Sequence, residues 1–169
     1  MSFSCWIGAT IDAVWTETDL SARLTNFQIR KRSGTPSYVQ ATSKGSDFAD
    51  AILAALGAED PELWIMDGAT ELCRVTLERV SDSRGADSKS VTISGNSQST
   101  NSSPTTKALS GVSVWRSENG IINLTCLYDP TVDPGDTVTW GGNSFVADEV
   151  VITASPESLT MEVQQSANG

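Results

Sequence analysis

The chain has 169 residues, a formal net charge of −10 with 21 acidic against 11 basic residues, and a hydrophobic fraction of 38%. That field repels nucleic acid and anionic membranes, so the footprint of a sequence-specific nucleic-acid binder is missing, and the acidity suits solubility or a basic partner surface. The length leaves room for one domain or two small ones, no apolar run reaches the roughly 18 residues of a membrane-crossing helix, and Met1–Ser4 lacks the parts of a secretion signal, so the protein is expected to start in a cytoplasm without a membrane partner.

In chain order, residues 2–11 predict a first strand with Phe3, Cys5 and Ile7 on one face and Trp6 on the other. Residues 10–20, TIDAVWTETDL, read as a polar segment around Trp15. Residues 20–32 predict a second strand with Phe27 and Ile29 facing one way, ended by Ser33-Gly34-Thr35-Pro36, and residues 38–42 a third. The pattern then changes to a helix over about 47–56. Ser46 can cap it, Asp47 and Asp50 suit its positive end, Phe48, Ile52 and Leu56 form its apolar stripe, and Gly57 can close it in the left-handed region. A three-strand meander follows over 62–66, 70–80 and 89–94, with Asp67-Gly68-Ala69 as one turn and a polar loop at 81–89 as the other. Within it, Cys73, Val75, Leu77, Val91 and Ile93 are expected to point inward.

Residues 96–107 are rich in Ser, Thr and Asn and hold no apolar residue, the composition of a solvated linker. The expected organisation is a domain at 1–96, a linker at 97–107 and a second domain at 108–169. In the second domain, 111–116, 121–128, 136–140, 144–153 and 158–164 read as five short strands. Leu159, Met161 and Val163 point inward in the last. Pro134-Gly135-Asp136 reads as a turn in which Pro presets φ, Gly takes positive φ and Asp accepts turn amides, and Gly141-Gly142 as a tight hairpin. The fold class is therefore mainly β: two small antiparallel barrels or sandwiches with one short helix.

Little in this chain carries catalytic chemistry. It has no histidine, and Cys5, Cys73 and Cys126 are far apart in apolar runs, which speaks against zinc, haem and thiol–imidazole catalysis and for buried free thiols. Asp129, Asp133, Asp136, Asp148 and Glu149 gather in the C-terminal part, but their spacing matches no calcium loop and turn chemistry accounts for them better. No G-x-S-x-G elbow is present. The expectation is no enzyme, no cofactor and no metal. Of five tryptophans, Trp64 and Trp140 sit in alternating strands and are expected in the core, whereas Trp15 is the candidate interface residue. The sequons at Asn101 and Asn123 mean little without a secretion signal.

The order of these features resembles the hub proteins at the tail tip of long-tailed, siphophage-type bacteriophages. The hairpin CRVTLERVSDS…KSVTISGNS is similar to the end of their first barrel. The run INLTCLYDPTVDPGDTVTWGGNSFVADEVVITASPESLTMEVQ resembles their closing barrel through Pro134, Gly135, Asp136, Val138, Phe145, Val146, Val150, Ser155, Pro156, Ser158, Met161 and Val163. The resemblance covers about 62–97 and 120–165, and the chain departs from the family in having only a short polar segment where longer hubs insert domains.

The resemblance implies a structural virion protein, a baseplate-hub ring that continues the tail tube and carries tip and fibre proteins, assembled in the host cytoplasm. Its partners would be itself, as a trimer or a hexamer, and other tail proteins, with phage DNA passing through an acid-lined lumen. Alternatives are a distal tail ring, a tail-tube or head–tail connector protein, or a carbohydrate-binding β-module.

Overall fold

The computed structural model describes residues 3–44, 49–84, 89–98, 103–116 and 120–165. Among them are β1 (Phe3–Ile11), β2 (Val14–Asp19), a 3-10 turn at Ser21–Arg23, β3 (Leu24–Arg32), β4 (Pro36–Lys44), α1 (Ala49–Leu56), β5 (Glu59–Asp67), β6 (Thr70–Arg84) and β7 (Lys89–Gln98). There follow β8 (Thr106–Ala108), β9 (Ser113–Arg116), β10 (Ile122–Cys126), β11 (Thr137–Trp140), β12 (Asn143–Ala154) and β13 (Leu159–Gln165). The fold is mainly β with antiparallel pairing and one short helix, as the residue pattern implied. One pair departs from this: β8 runs parallel to β11, with Val138 opposite Lys107.

The chain divides into two compact units, residues 1–28 with 38–97 and residues 29–37 with 98–169. The tip of the β3–β4 hairpin is thus counted with the second unit. In the first unit the neighbour order is β2-β1-β5-β6-β7-β4-β3. Its core takes the inward side of every strand but β2: Cys5, Ile7 and Ala9 of β1, Phe27 of β3, Val39 and Ala41 of β4, Leu63 and Ile65 of β5, Val75 and Leu77 of β6, and Ile93 of β7. Phe3 meets Phe27 edge-on, with ring centroids 5.0 Å apart. In β6 the period of two breaks where Leu72 and Cys73 are both buried, because the register slips between Ile65 and Met66 and a bulge turns one extra side chain inward.

The second unit follows the order β12-β13-β10-β9, with β11 pairing β12 and β8. Ile29, Leu124, Val132, Val138, Phe145, Val150, Ile152, Met161 and Val163 fill its core. Met161 and Val163 are buried as the alternation required, and Leu159 is half-buried.

Several boundaries differ from the sequence reading. Residues 14–19, read as a polar stretch, form β2, because Asp12 and Ala13 both take positive φ and close a two-residue hairpin at the Ile11–Val14 pair. Of the polar segment 81–89, residues 81–84 and 89 are in strands β6 and β7, and residues 85–88 lie outside the described residues. Gln98, Thr106 and Lys107 of the Ser/Thr/Asn-rich segment are also in strands.

The helix spans Ala49–Leu56; Ser46, Asp47 and Phe48 lie outside the described residues, as do the side chains of Asp50, Ile52 and Val91. Gly57 does not adopt the left-handed region expected of it. The helix instead ends with Gly57 N–H donating to Leu53 O and Ala58 N–H to Ala55 O.

Candidate functional site

Two clusters stand out, one in each unit. In the first, strand register decides which side chains share a face. Trp6 of β1 lies opposite Asp19 of β2 and Trp64 of β5, and Trp64 opposite Arg74 of β6; Gly8 lies opposite Glu17 and Glu62. Residues directly opposite point to the same side. The side away from the core therefore carries Trp6, Trp64 and Arg74 in one row and Glu17, Gly8 and Glu62 in the next, with Trp15 one step further along β2.

Gly8 makes the cluster possible. A Cβ there would stand 2.4 Å from Trp15 Cζ2 and 2.8 Å from Trp64 Cη2, so only glycine lets the two indoles approach over β1. Trp15 and Trp64 stack with centroids 6.4 Å apart and planes inclined by 18°. Arg74 sits over Trp64, its Cζ 4.5 Å from the ring centroid. Arg74 also donates to Glu62 at 2.8 Å and to Glu71 at 3.0 Å. Burial acts to lower the Arg74 pKa, but these two carboxylates outweigh it and the pKa ends above its ordinary value. Trp15 Nε1–H donates to Glu17 Oε1 at 2.9 Å, which fixes the indole rotamer.

Trp64, expected in the core, is 6% exposed, but it is covered on the outer side of β5 by these neighbours, while Leu63 and Ile65 point to the interior. Trp15 is 43% exposed, as its polar surroundings suggested. Trp140 is only half-buried, packed edge-on against Phe145 with centroids 5.3 Å apart.

In the second unit the Pro134-Gly135-Asp136 turn is a hydrogen-bonding node. Gly135 has φ 95°. The Asp136 carboxylate is buried, its Oδ2 accepting from Asp133 N at 2.9 Å and its Oδ1 from Thr105 N at 2.7 Å and Thr105 Oγ1 at 3.3 Å. The backbone on either side is tied as well: Gly135 N–H donates to Ala147 O at 2.7 Å, and Ala147 N–H to Asp136 O at 2.9 Å. Gly141 and Gly142, with φ 50° and 82°, form the two-residue loop between the paired Trp140 and Asn143.

The other carboxylates of the acidic group have specific partners. Asp129 Oδ1 accepts from Thr131 N and Oγ1 at 2.9 and 2.7 Å. Asp133 binds buried Lys31 at 2.6 Å, Asp148 binds Arg32 at 3.3 Å and Glu149 approaches Arg30 to 3.5 Å. A bulge in β12, where the register slips between Ala147 and Glu149, is what turns successive carboxylates toward Arg30 and Arg32. Among the described residues no group of three or more Asp, Glu or Cys is arranged to hold a metal ion. The basic run Arg30-Lys31-Arg32, unremarked in the sequence, is the missing counterpart of the acidic group.

Cys5, Cys73 and Cys126 are buried and in no disulfide. Burial, reinforced by Asp19, pushes the Cys5 thiol up to about 12, and burial with Asp129 pushes Cys126 up to about 11. Such thiols are poor nucleophiles.

No protein-family model matches the chain, and no curated protein matches it by sequence. Its fold is similar to that of several solved structures. With the tail protein from Neisseria meningitidis MC58 the TM-score is 0.62 at 7% identity, covering 97% of this chain and 96% of that one. With the 43 kDa tail protein of prophage MuSo2 from Shewanella oneidensis it is 0.60 at 6% identity, covering 95% and 97%. With the E. coli c3393 protein, a type VI secretion component described as structurally similar to T4 phage tail proteins gp27 and gp5, it is 0.59 at 9% identity, covering 84% and 73%.

Proposed function

We propose that this chain is a structural subunit of a long-tailed phage tail tip: a minimal, siphophage-type hub ring that continues the tail tube and carries tip and fibre proteins. The observation that carries the reading is the end-to-end likeness of fold to two tail proteins, one of them from a prophage, which spans more than nine-tenths of each chain. The closing-barrel residues Pro134, Gly135, Asp136, Gly141 and Gly142 support it from the sequence side. Their role is architectural: they set the register of β11 and β12 and anchor the residues before β8.

Ring assembly follows from the physics of the parts. A strand edge with unpaired backbone groups gains stability when a neighbouring copy covers it, and closed symmetry leaves no edge over. The charge of −10 suits a wall past which DNA slides without adhering. Native mass spectrometry of the purified chain tests the reading. A trimer is the expected result; a hexamer moves the protein to a distal tail ring or tube, and a monomer at all concentrations removes the ring. A map of the assembled ring with neutral or basic residues on its inner wall would sink the lumen assignment.

A further inference from the structure

The geometry of β2 points to a docking edge for an extended, basic segment of a different polypeptide, and we propose that Trp15, Glu17 and Asp19 receive it. Among the described residues β2 pairs only with β1 and ends the strand order of its unit. The hairpin closes at Ile11–Val14, and hydrogen-bonded pairs alternate along an antiparallel ladder. Val14, Thr16 and Thr18 therefore direct their backbone groups to β1, and Trp15, Glu17 and Asp19 direct theirs outward. The same three residues carry the outward side chains on the Trp6–Trp64 face.

The strand has no lysine, proline or bulge to blunt its edge, and five of its six residues are exposed, Val14 to 63%; its only charges, Glu17 and Asp19, guard it against a second copy and leave it open to a basic strand. It is also prepared for contact. Arg74, Trp64 and Trp15 form a stack running across β6, β5, β1 and β2, and the face of Trp15 away from Trp64 closes it toward the open edge. A strand added beside β2 would set a side chain on that face, where arginine is the best complement to an indole. The bond to Glu17 holds the indole ready, so little ordering remains to be done on binding.

Charge selects the occupant. Glu17 and Asp19 lie on the docking face, so an antiparallel copy of β2 itself would bring like charges together, whereas alternating basic residues would meet them. The expected partner is an extended stretch with Arg or Lys at every second position. This inference stands independently of the tail assignment.

The probes are three synthetic heptapeptides titrated into the isotope-labelled full chain: acetyl-TRTRVRT-amide, its Glu counterpart acetyl-TETEVET-amide, and the basic peptide with its central residue replaced by proline. The basic peptide is expected to shift and protect the amides of Trp15, Glu17 and Asp19 and to perturb the Trp15 indole. The acidic and proline peptides are expected to bind at least tenfold more weakly. E17Q/D19N retains the acceptor for Trp15 and is expected to lose about tenfold in affinity for the basic peptide, and E17K/D19K to reverse the preference between the charged peptides.

Basic-peptide binding indifferent to both variants, equal binding of the proline peptide, or an absence of shifts at β2 at millimolar peptide would overturn the proposal. So would an oligosaccharide that perturbs Trp15 where the basic peptide does not, since that makes the indole a sugar platform. Loss of self-association in E17K/D19K would assign the edge to a second copy, overturning this inference while leaving the ring reading intact.

Discussion

The outer side of the first unit and the turn cluster of the second use charge in opposite ways. Around Asp136 the carboxylates have partners inside the unit: backbone amides for Asp136, a hydroxyl and an amide for Asp129, and Arg30, Lys31 and Arg32 for the other three. On the β1–β2 hairpin, Glu17 steadies an indole and, among the described residues, no strand pairs with the edge beyond it. Equal local acidity thus serves a closed architecture in one place and an open surface in the other. The run Arg30-Lys31-Arg32 beside one acidic group, and a strand edge with no such cations beside the other, separate the two.

The sharpest break of that contrast is Asp136→Ala. It removes a buried acceptor and strands the amides of Asp133 and Thr105, so a loss of about 3 kcal/mol is expected in denaturant unfolding, against under about 0.5 for Glu17→Ala on the exposed edge. Next comes the buried cation. Asp133→Ala leaves Lys31 unpaired and is expected to cost about 2 kcal/mol, discounted because the Asp133 side chain is 41% exposed, whereas Lys31→Met is expected to be near neutral because it removes the desolvated charge together with the need for a partner. A larger loss for Lys31→Met than for Asp133→Ala would mean that the ion pair itself stabilises the turn.

On the aromatic side, Gly8→Ala drives a methyl into both stacked indoles, and a loss of about 1.5 kcal/mol is expected, together with disappearance of the coupled Trp15–Trp64 signal in near-ultraviolet circular dichroism. If that signal survives, the stack does not depend on the glycine. Alkali probes the interior of the same unit. The folded Cys5 thiol titrates near 12 and the unfolded one near 9.0, so the unfolded chain binds fewer protons between these values. The contribution is fully present below pH 9 and is lost as pH rises toward 12, with a slope of at most about 1.4 kcal/mol per pH unit. Cys5→Ala is expected to be less stable at pH 7 but to flatten this alkaline decline; an unchanged slope would remove Cys5 from it.

How much was legible follows from what short-range pattern encodes. Period-two alternation located β1, β5, β10 and β13, and turn chemistry placed positive φ at Gly135, Gly141 and Gly142. Pattern could not show that Trp64 is buried on the outside of β5, because burial there comes from Trp15, Arg74 and the glycine between them, which only the register of four strands brings together. Gly8 inside a strand was the available signal, since an interior glycine marks a close approach. The pairing of Arg30-Lys31-Arg32 with Asp133, Asp148 and Glu149 spans about a hundred positions, beyond any local rule. β2 was hidden because its hairpin lacks the Asn-Gly or Asp-Gly that usually marks such a turn.

That missing glycine supplies the smallest and cleanest test of the open edge. Ala13 holds φ 61° and Asp12 φ 50° in the loop between β1 and β2. An L-residue with a Cβ is strained there, whereas Asp tolerates the region better and glycine occupies it freely. Ala13→Gly therefore relieves strain in the folded hairpin but adds freedom to the unfolded chain, two effects of opposite sign. At positive φ the first wins, and a net gain of about 0.5 kcal/mol is expected in chemical denaturation. The substitution touches neither Trp15 nor Glu17, so peptide binding at β2 should be unchanged or slightly tighter as the hairpin frays less. A loss of stability would show that Ala13 makes a compensating contact, and a loss of binding at unchanged stability would show that the tilt of β2, rather than its exposed groups, determines what docks there.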